Sequence, residues 1–254
     1  MDKIYIIESG DRMNKIIKNC SINYVQYGNP KGKEVVLLHG WGQNIQMMEP
    51  IGNAIKDKYH ITIIDLPGHG NSSEPKVPFT LYDYYECVNE LLESLKVKNP
   101  TMIGHSFGGR ISIIYAAMHK SEKLVLLSSP FIKRITKEST KLKVLRSLKK
   151  VPGINKLEGF AKKHMGSSDY KNASEMMRKI LVNTVNEDLT EYVKKIKAST
   201  IVIAGECDYD VPLDEINLYE NYIEDCAIIV YPGCTHYAYL EDINRTNAII
   251  KNFI

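Results

Sequence analysis

The sequence predicts an α/β fold: a mostly parallel central sheet with helices on both faces and an inserted helical cap. Three observations carry this. Short β-prone runs alternate with longer segments of helical spacing along most of the 254 residues, and helices that return the chain in this way leave successive strands parallel. Several of the runs are apolar throughout, Glu34-Val35-Val36-Leu37-Leu38 and Leu124-Val125-Leu126-Leu127-Ser128 among them, as in strands covered on both faces. Between residues 128 and 200 the alternation stops. A stretch of about seventy residues without a buried strand needs structure of its own, because structureless loops of that length are foreign to compact domains.

The elements follow in order. Residues 22–28 alternate like a half-exposed strand, and residues 34–38 and 59–64 are buried strands. Thr80 caps a helix over 80–95, where Leu81, Tyr84, Tyr85, Val88, Leu91, Leu92 and Leu95 recur at helical spacing. Strand 101–104, helix 107–119 and strand 124–128 come next. The insertion holds helix-compatible pieces near 139–150, 155–164, 173–184 and 187–197, with Pro130 at its start and Pro152-Gly153 inside it. Strand 200–204, a helix near 213–223, strand 227–231 and a last helix near 241–253 complete the chain. The expected organisation is a core of residues 1–129 and 200–254 with a cap of residues 130–199.

Charged residues at 25% and hydrophobic ones at 44% are those of an ordinary globular protein. A net charge of +3 gives no reason to expect a nucleic-acid partner. That charge is unevenly placed: residues 131–198 hold 17 Lys and Arg against 7 Asp and Glu, a net +10, so the remainder is net −7. No apolar run approaches membrane-spanning length, so no stable membrane insertion is expected. The first residues lack the pattern of a secretory leader. Five scattered cysteines without CxxC spacing argue against a disulfide framework or zinc site and point to a reducing cytoplasm. Monomer and homodimer both remain open.

The chemistry centres on Gly104-His105-Ser106-Phe107-Gly108, a G-x-S-x-G pattern set between a strand and a helix. A serine on so tight a turn is lifted above the sheet, with a helix N-terminus aimed at whatever its Oγ attacks. A hydroxyl needs a base, and the base needs an acid to hold one tautomer. On an open parallel sheet such groups belong in loops at the carboxyl ends of strands. Strand 227–231 leads into Pro232-Gly233-Cys234-Thr235-His236, which makes His236 the base. Strand 200–204 leads into Gly205-Glu206-Cys207-Asp208-Tyr209-Asp210, which offers Asp208 and Asp210 as the acid. The backbone N–H groups of Phe107 and of Trp41, in His39-Gly40-Trp41-Gly42, are the expected oxyanion donors. The Trp41 ring is expected to wall the substrate pocket. Of the remaining histidines, His39, His69 and His105 sit beside glycines in turns and suit backbone hydrogen bonds. His60, His119 and His164 suit surface or packing roles.

These segments resemble the α/β-hydrolase superfamily from about residue 22 onward. The resemblance rests on His39-Gly40-Trp41-Gly42, Asp65-Leu66-Pro67-Gly68-His69-Gly70-Asn71-Ser72, Gly104-His105-Ser106-Phe107-Gly108-Gly109, Gly205-Glu206-Cys207-Asp208 with Pro212, and Gly233-Cys234-Thr235-His236 with Leu240-Glu241. It implies that Asp208 is the acid, that Asp65 is structural and that the insertion is a cap over the pocket. It implies a capped, carboxylesterase-like serine hydrolase acting on a small-molecule acyl substrate, with no metal or organic cofactor. Tyr237 and Arg110 are expected substrate contacts; for Arg110 a structural ion pair is the competing role. Alternatives are a C–C bond hydrolase, a lyase like the menaquinone-pathway synthase of this fold, and a non-catalytic sensor. Position 106 is serine, which departs from the aspartate of epoxide- and halide-processing members. Tyr237 stands where C–C hydrolases often carry tryptophan.

Overall fold

A computed structural model describes residues 11–133, 173–185 and 187–254. The helices expected near 139–150 and 155–164 lie outside the described residues. Eight strands form one sheet: β1 (Arg12–Ile17), β2 (Cys20–Gly28), β3 (Glu34–Leu38), β4 (His60–Ile64), β5 (Thr101–His105), β6 (Lys123–Leu127), β7 (Ser199–Gly205) and β8 (Cys226–Tyr231), in the order β1-β2-β4-β3-β5-β6-β7-β8. From β4 to β8 every neighbouring pair is parallel, while β2 runs antiparallel to both β1 and β4.

The first hairpin was not expected from the sequence. It turns at Lys18 and Asn19, both with positive φ (47° and 62°), the conformation that matches a two-residue turn to the twist of its strands. β1 is a polar edge with alternating exposure, so it carries no buried run to announce it.

Among the described residues the α-helices are α1 (Glu49–Ile55), α2 (Leu81–Ser94), α3 (Phe107–Met118), α4 (Glu175–Val185), α5 (Thr190–Val193), α6 (Leu213–Ile216), α7 (Ala238–Glu241) and α8 (Ile243–Phe253). α2 starts where expected: the Thr80 side chain accepts the Asp83 N–H and the Asp83 carboxylate accepts the Thr80 N–H, a reciprocal capping box. α1, opened by Glu49 and Pro50, is a further unexpected element. The expected helix near 213–223 is α6 followed by a 3-10 turn over Asn217–Asn221. The last helix arrives in two pieces, α7 and α8, divided at Asp242.

Alternate residues of each strand face opposite cores. Val36, Leu38, Met102, Leu124, Leu126 and Val202 pack with residues of α2 and α3. Val35, Leu37, Ile103, Val125, Leu127 and Ile203 pack with residues of α1 and α8. Because β4 lies on one side of β3 and β5 on the other, the winding reverses between β3 and β5. That reversal opens a crevice at the carboxyl ends of these strands, where β3 ends before His39 and β5 ends before Ser106. Among the described residues no helix is long and apolar enough to cross a membrane.

Candidate active site

Ser106 occupies the one-residue turn between β5 and α3 with φ 47° and ψ −108°. A β-carbon at positive φ is strained by about 1–3 kcal/mol, so the surroundings must hold the turn. They do so by close backbone approach. The Ser106 N–H donates to Leu127 O on β6 at 2.9 Å, and its carbonyl accepts the Arg110 N–H at 3.1 Å. A β-carbon on Gly104 would lie 2.6 Å from Gly108 O and from Gly109 N. One on Gly108 would lie 2.4 Å from Leu38 O. These glycines let α3 start directly against β3 and β5, which puts its N-terminus behind the serine.

His236 and Asp208 come from the loops after β8 and β7. His236 Nδ1 and Asp208 Oδ2 are 2.8 Å apart. The Asp208 side chain is fully shielded and that of His236 is 15% exposed. Asp208 Oδ1 accepts the N–H groups of Asp210 and Val211, each at 2.9 Å. Burial alone would raise the Asp208 carboxyl, but the His236 ring and these two N–H groups outweigh it and hold it below the usual carboxylate range. Asp210 is exposed and meets Asp208 through its backbone. A ligand atom from each of Asp208, Asp210 and His236 lies within 4.8 Å of the others. Both Asp208 oxygens already accept hydrogen bonds there, which leaves little donor capacity for a cation.

The loop that carries His236 has two further tethers. Glu241 accepts the Thr235 N–H at 2.8 Å and also the Thr235 hydroxyl. His105, next to Ser106, has its Nε2 3.1 Å from the His236 carbonyl oxygen. The His105 and His236 ring centroids are 4.9 Å apart. The half-exposed Tyr237 ring stands 5.6 Å from the His236 ring.

The loop after β3 is fixed by buried polar groups. His39 Nδ1 donates to Gly40 O at 2.7 Å and its Nε2 accepts the Leu66 N–H at 3.0 Å. Burial pushes this histidine down to about 4, so the ring is neutral and that tautomer is the only one that satisfies both bonds. Trp41 and Phe107 meet edge-to-face at 5.1 Å, and His69 lies edge-to-face with Trp41 at 4.8 Å. Asp65 serves the turn below: its carboxylate accepts Asn23 Nδ2, Ile45 N and Asn71 N at 2.7–2.8 Å. All its lone-pair demand is structural.

Arg110 has an occupation other than the expected substrate contact. One terminal nitrogen donates to Thr184 O at 2.8 Å and the other to Glu187 O. It clamps the C-terminal end of α4 to α3, and burial lowers its guanidinium from the usual value. Both partners are backbone carbonyls, and the carboxylates of Glu187, Glu215 and Asp188 lie near enough to favour the charged guanidinium. Sequence reasoning missed Gln43, whose Oε1 accepts the Gly40 N–H at 2.9 Å and faces His105 Nδ1 at 3.2 Å. Its position four residues beyond His39 was the available signal.

A family model described as the alpha/beta hydrolase fold matches residues 33–156. The AB hydrolase superfamily protein YisY of Bacillus subtilis (strain 168) is 24% identical over 249 residues, covering 87% of this chain and 91% of that protein. Lipase 1 of Psychrobacter immobilis is 26% identical over 274 residues, covering 99% and 83%. An esterase from Exiguobacterium antarcticum superposes with a TM-score of 0.75 at 22% identity, over 96% of this chain and 98% of that one.

Proposed function

From the premise that this chain is a hydrolase of the α/β-hydrolase superfamily, we propose that it cleaves a carboxylic ester by acyl transfer through Ser106, His236 and Asp208. The observation that carries this reading is the 2.8 Å bond between His236 Nδ1 and Asp208 Oδ2, in a loop tethered to the residue beside a strained serine. Likeness to a lipase over nearly the whole chain favours the ester class.

In the proposed reaction His236 takes the Ser106 hydroxyl proton as Oγ bonds to the ester carbonyl carbon. The negative charge moves to the carbonyl oxygen, where the N–H groups of Trp41 and Phe107 stabilise it. As the tetrahedral adduct collapses, the bond to the leaving alcohol breaks and His236 gives that alcohol the proton. Water then adds to the acyl-enzyme with His236 again as base, releasing the carboxylic acid and restoring Ser106. Asp208 stabilises the imidazolium, and its low-lying carboxyl keeps it ionised for that purpose. Trp41 and Tyr237 line the substrate's path in this reading, and the basic insertion acts as the cap. The reaction needs neither metal nor organic cofactor.

The test is intact-protein mass spectrometry after treatment with a fluorophosphonate, alongside turnover of p-nitrophenyl esters of graded chain length. The expected result is one adduct on Ser106, ester turnover by the wild type, and loss of both in Ser106→Ala with unchanged folding. A folded wild-type protein with neither adduct nor turnover overturns the reading in favour of a non-catalytic ligand binder.

A further inference from the structure

His105 joins three loops that the proposed reaction needs in register. It is fully buried, and its Nε2 lies 3.1 Å from the carbonyl oxygen of His236. Its Nδ1 lies 3.2 Å from Gln43 Oε1, and that oxygen accepts the Gly40 N–H at 2.9 Å. Contact here is tight: a β-carbon on Gly40 would sit 2.7 Å from His105 Nδ1. The rings of Tyr239, His236 and Tyr237 surround His105 at 4.7, 4.9 and 5.5 Å.

Proton accounting decides which contact holds. Burial, with His236 as a neighbour, pushes His105 down to about 3, so the ring is neutral and has one N–H to offer two oxygens. Gln43 Oε1 already has a donor in Gly40. A proton on Nδ1 would leave the Nε2 lone pair facing the His236 carbonyl and would push the base loop away. The proton therefore belongs on Nε2.

We propose that His105 is a positioning residue for the base: its Nε2–H donates to the carbonyl oxygen of His236 and ties the base loop to the turn that carries Ser106. This rests on the reading of His236 as the base of Ser106. Asp208 holds one end of the His236 ring, and His105 holds the backbone from which the ring projects. Losing the second anchor leaves the Asp208 bond intact but lets the other ring nitrogen wander from the serine. Misplacement of about 1 Å in such a pair costs on the order of 100-fold in rate.

The experiment compares His105→Leu and His105→Gln with the wild type. It reads the rate of fluorophosphonate labelling at Ser106, kcat and KM for a p-nitrophenyl ester, and Tm. His105→Leu is expected to lose roughly 10- to 100-fold in kcat and in labelling rate, with KM within about twofold. His105→Gln retains an N–H donor at the reach of Nε2 and is expected to recover to within about fivefold of the wild type. Labelling of His105→Leu at the wild-type rate overturns the proposal, and so does a His105→Gln variant as slow as His105→Leu at equal Tm. If His105→Leu does not fold, the Gln variant still decides: a tenfold loss at the wild-type Tm overturns the proposal. A wild type that labels at Ser106 while these outcomes fail defeats this inference alone. A wild type that does not label defeats the proposed function and this inference together.

Discussion

His69 is held neutral at a cost that acid should expose. Its Nδ1 donates to Pro67 O at 3.0 Å, while its buried Nε2 has no hydrogen-bond partner among the described residues. Burial, with a contribution from His39, pushes it down to about 3. In the unfolded chain the same ring titrates near 6.5. Between those values the unfolded state binds the extra proton, so stability falls as pH drops from about 6.5 toward about 3. His39, pushed down to about 4, and His105, to about 3, act in the same direction. Asp208 adds to it lower down: its depressed carboxyl contributes stability above the usual carboxylate range, and that is lost as pH falls through its folded value. Removing one of these rings should flatten the acid limb. His69→Phe is expected to lose less Tm than the wild type between pH 7 and pH 5, read by differential scanning fluorimetry; an equal loss would mean that His69 is not a proton-linked site. For the acid proposed above, Asp208→Asn is expected to reduce kcat by roughly 10⁴-fold while Asp210→Asn stays within a few-fold. The physical difference is on view: Asp208 bonds the His236 ring, and Asp210 offers Asp208 only its N–H. An inactive Asp210→Asn beside an active Asp208→Asn would reverse the assignment.

Among the elements, α4 shows how the insertion returns to the core. Its first turn lies over the loop after β4, where Met177 would collide with any β-carbon on Gly68. Its last turn is gripped by Arg110 from α3, one turn beyond Ser106. Leu81 N, at the start of α2, then donates to the Glu187 carboxylate at 2.8 Å. Arg110 thus couples the base of the insertion to the helix that begins at the serine. Arg110→Met, which keeps much of the stem and removes the donors, is expected to cost about 2 kcal/mol by leaving two carbonyls unpaired. It is also expected to speed proteolysis after residue 184, which limited digestion followed by mass spectrometry would map. Unchanged Tm and unchanged cleavage would show that the clamp carries no energy. α2 also has a local start signal, since the Thr80–Asp83 capping box is complete within four residues.

For the whole molecule, the parallel sheet and its two covered faces follow from patterns that sequence displays locally, whereas the strand order that reverses the winding between β3 and β5 does not. Continuous apolar runs announced β3, β4, β5, β6, β7 and β8, and helical spacing announced α2 and α3. The weak spots have a physical cause. β1 is a polar edge strand, and α1 is a short helix whose apolar residues are too few to show a period. The turn at Ser106 was legible because a positive φ and backbone approach within 3 Å demand glycines at fixed offsets. Ser106, Asp208 and His236 were nameable for the same reason: each follows a strand end, and strand ends are local. What the sequence by itself determined is therefore the α/β architecture, the strained serine turn and the loops that carry the candidate acid and base. The tertiary structure alone decided that His105 meets both Gln43 and His236 and that Arg110 grips the carbonyls of Thr184 and Glu187. Those contacts join residues 62, 131 and 74 positions apart. No local period encodes such separations; they exist only once the sheet has brought the loops together.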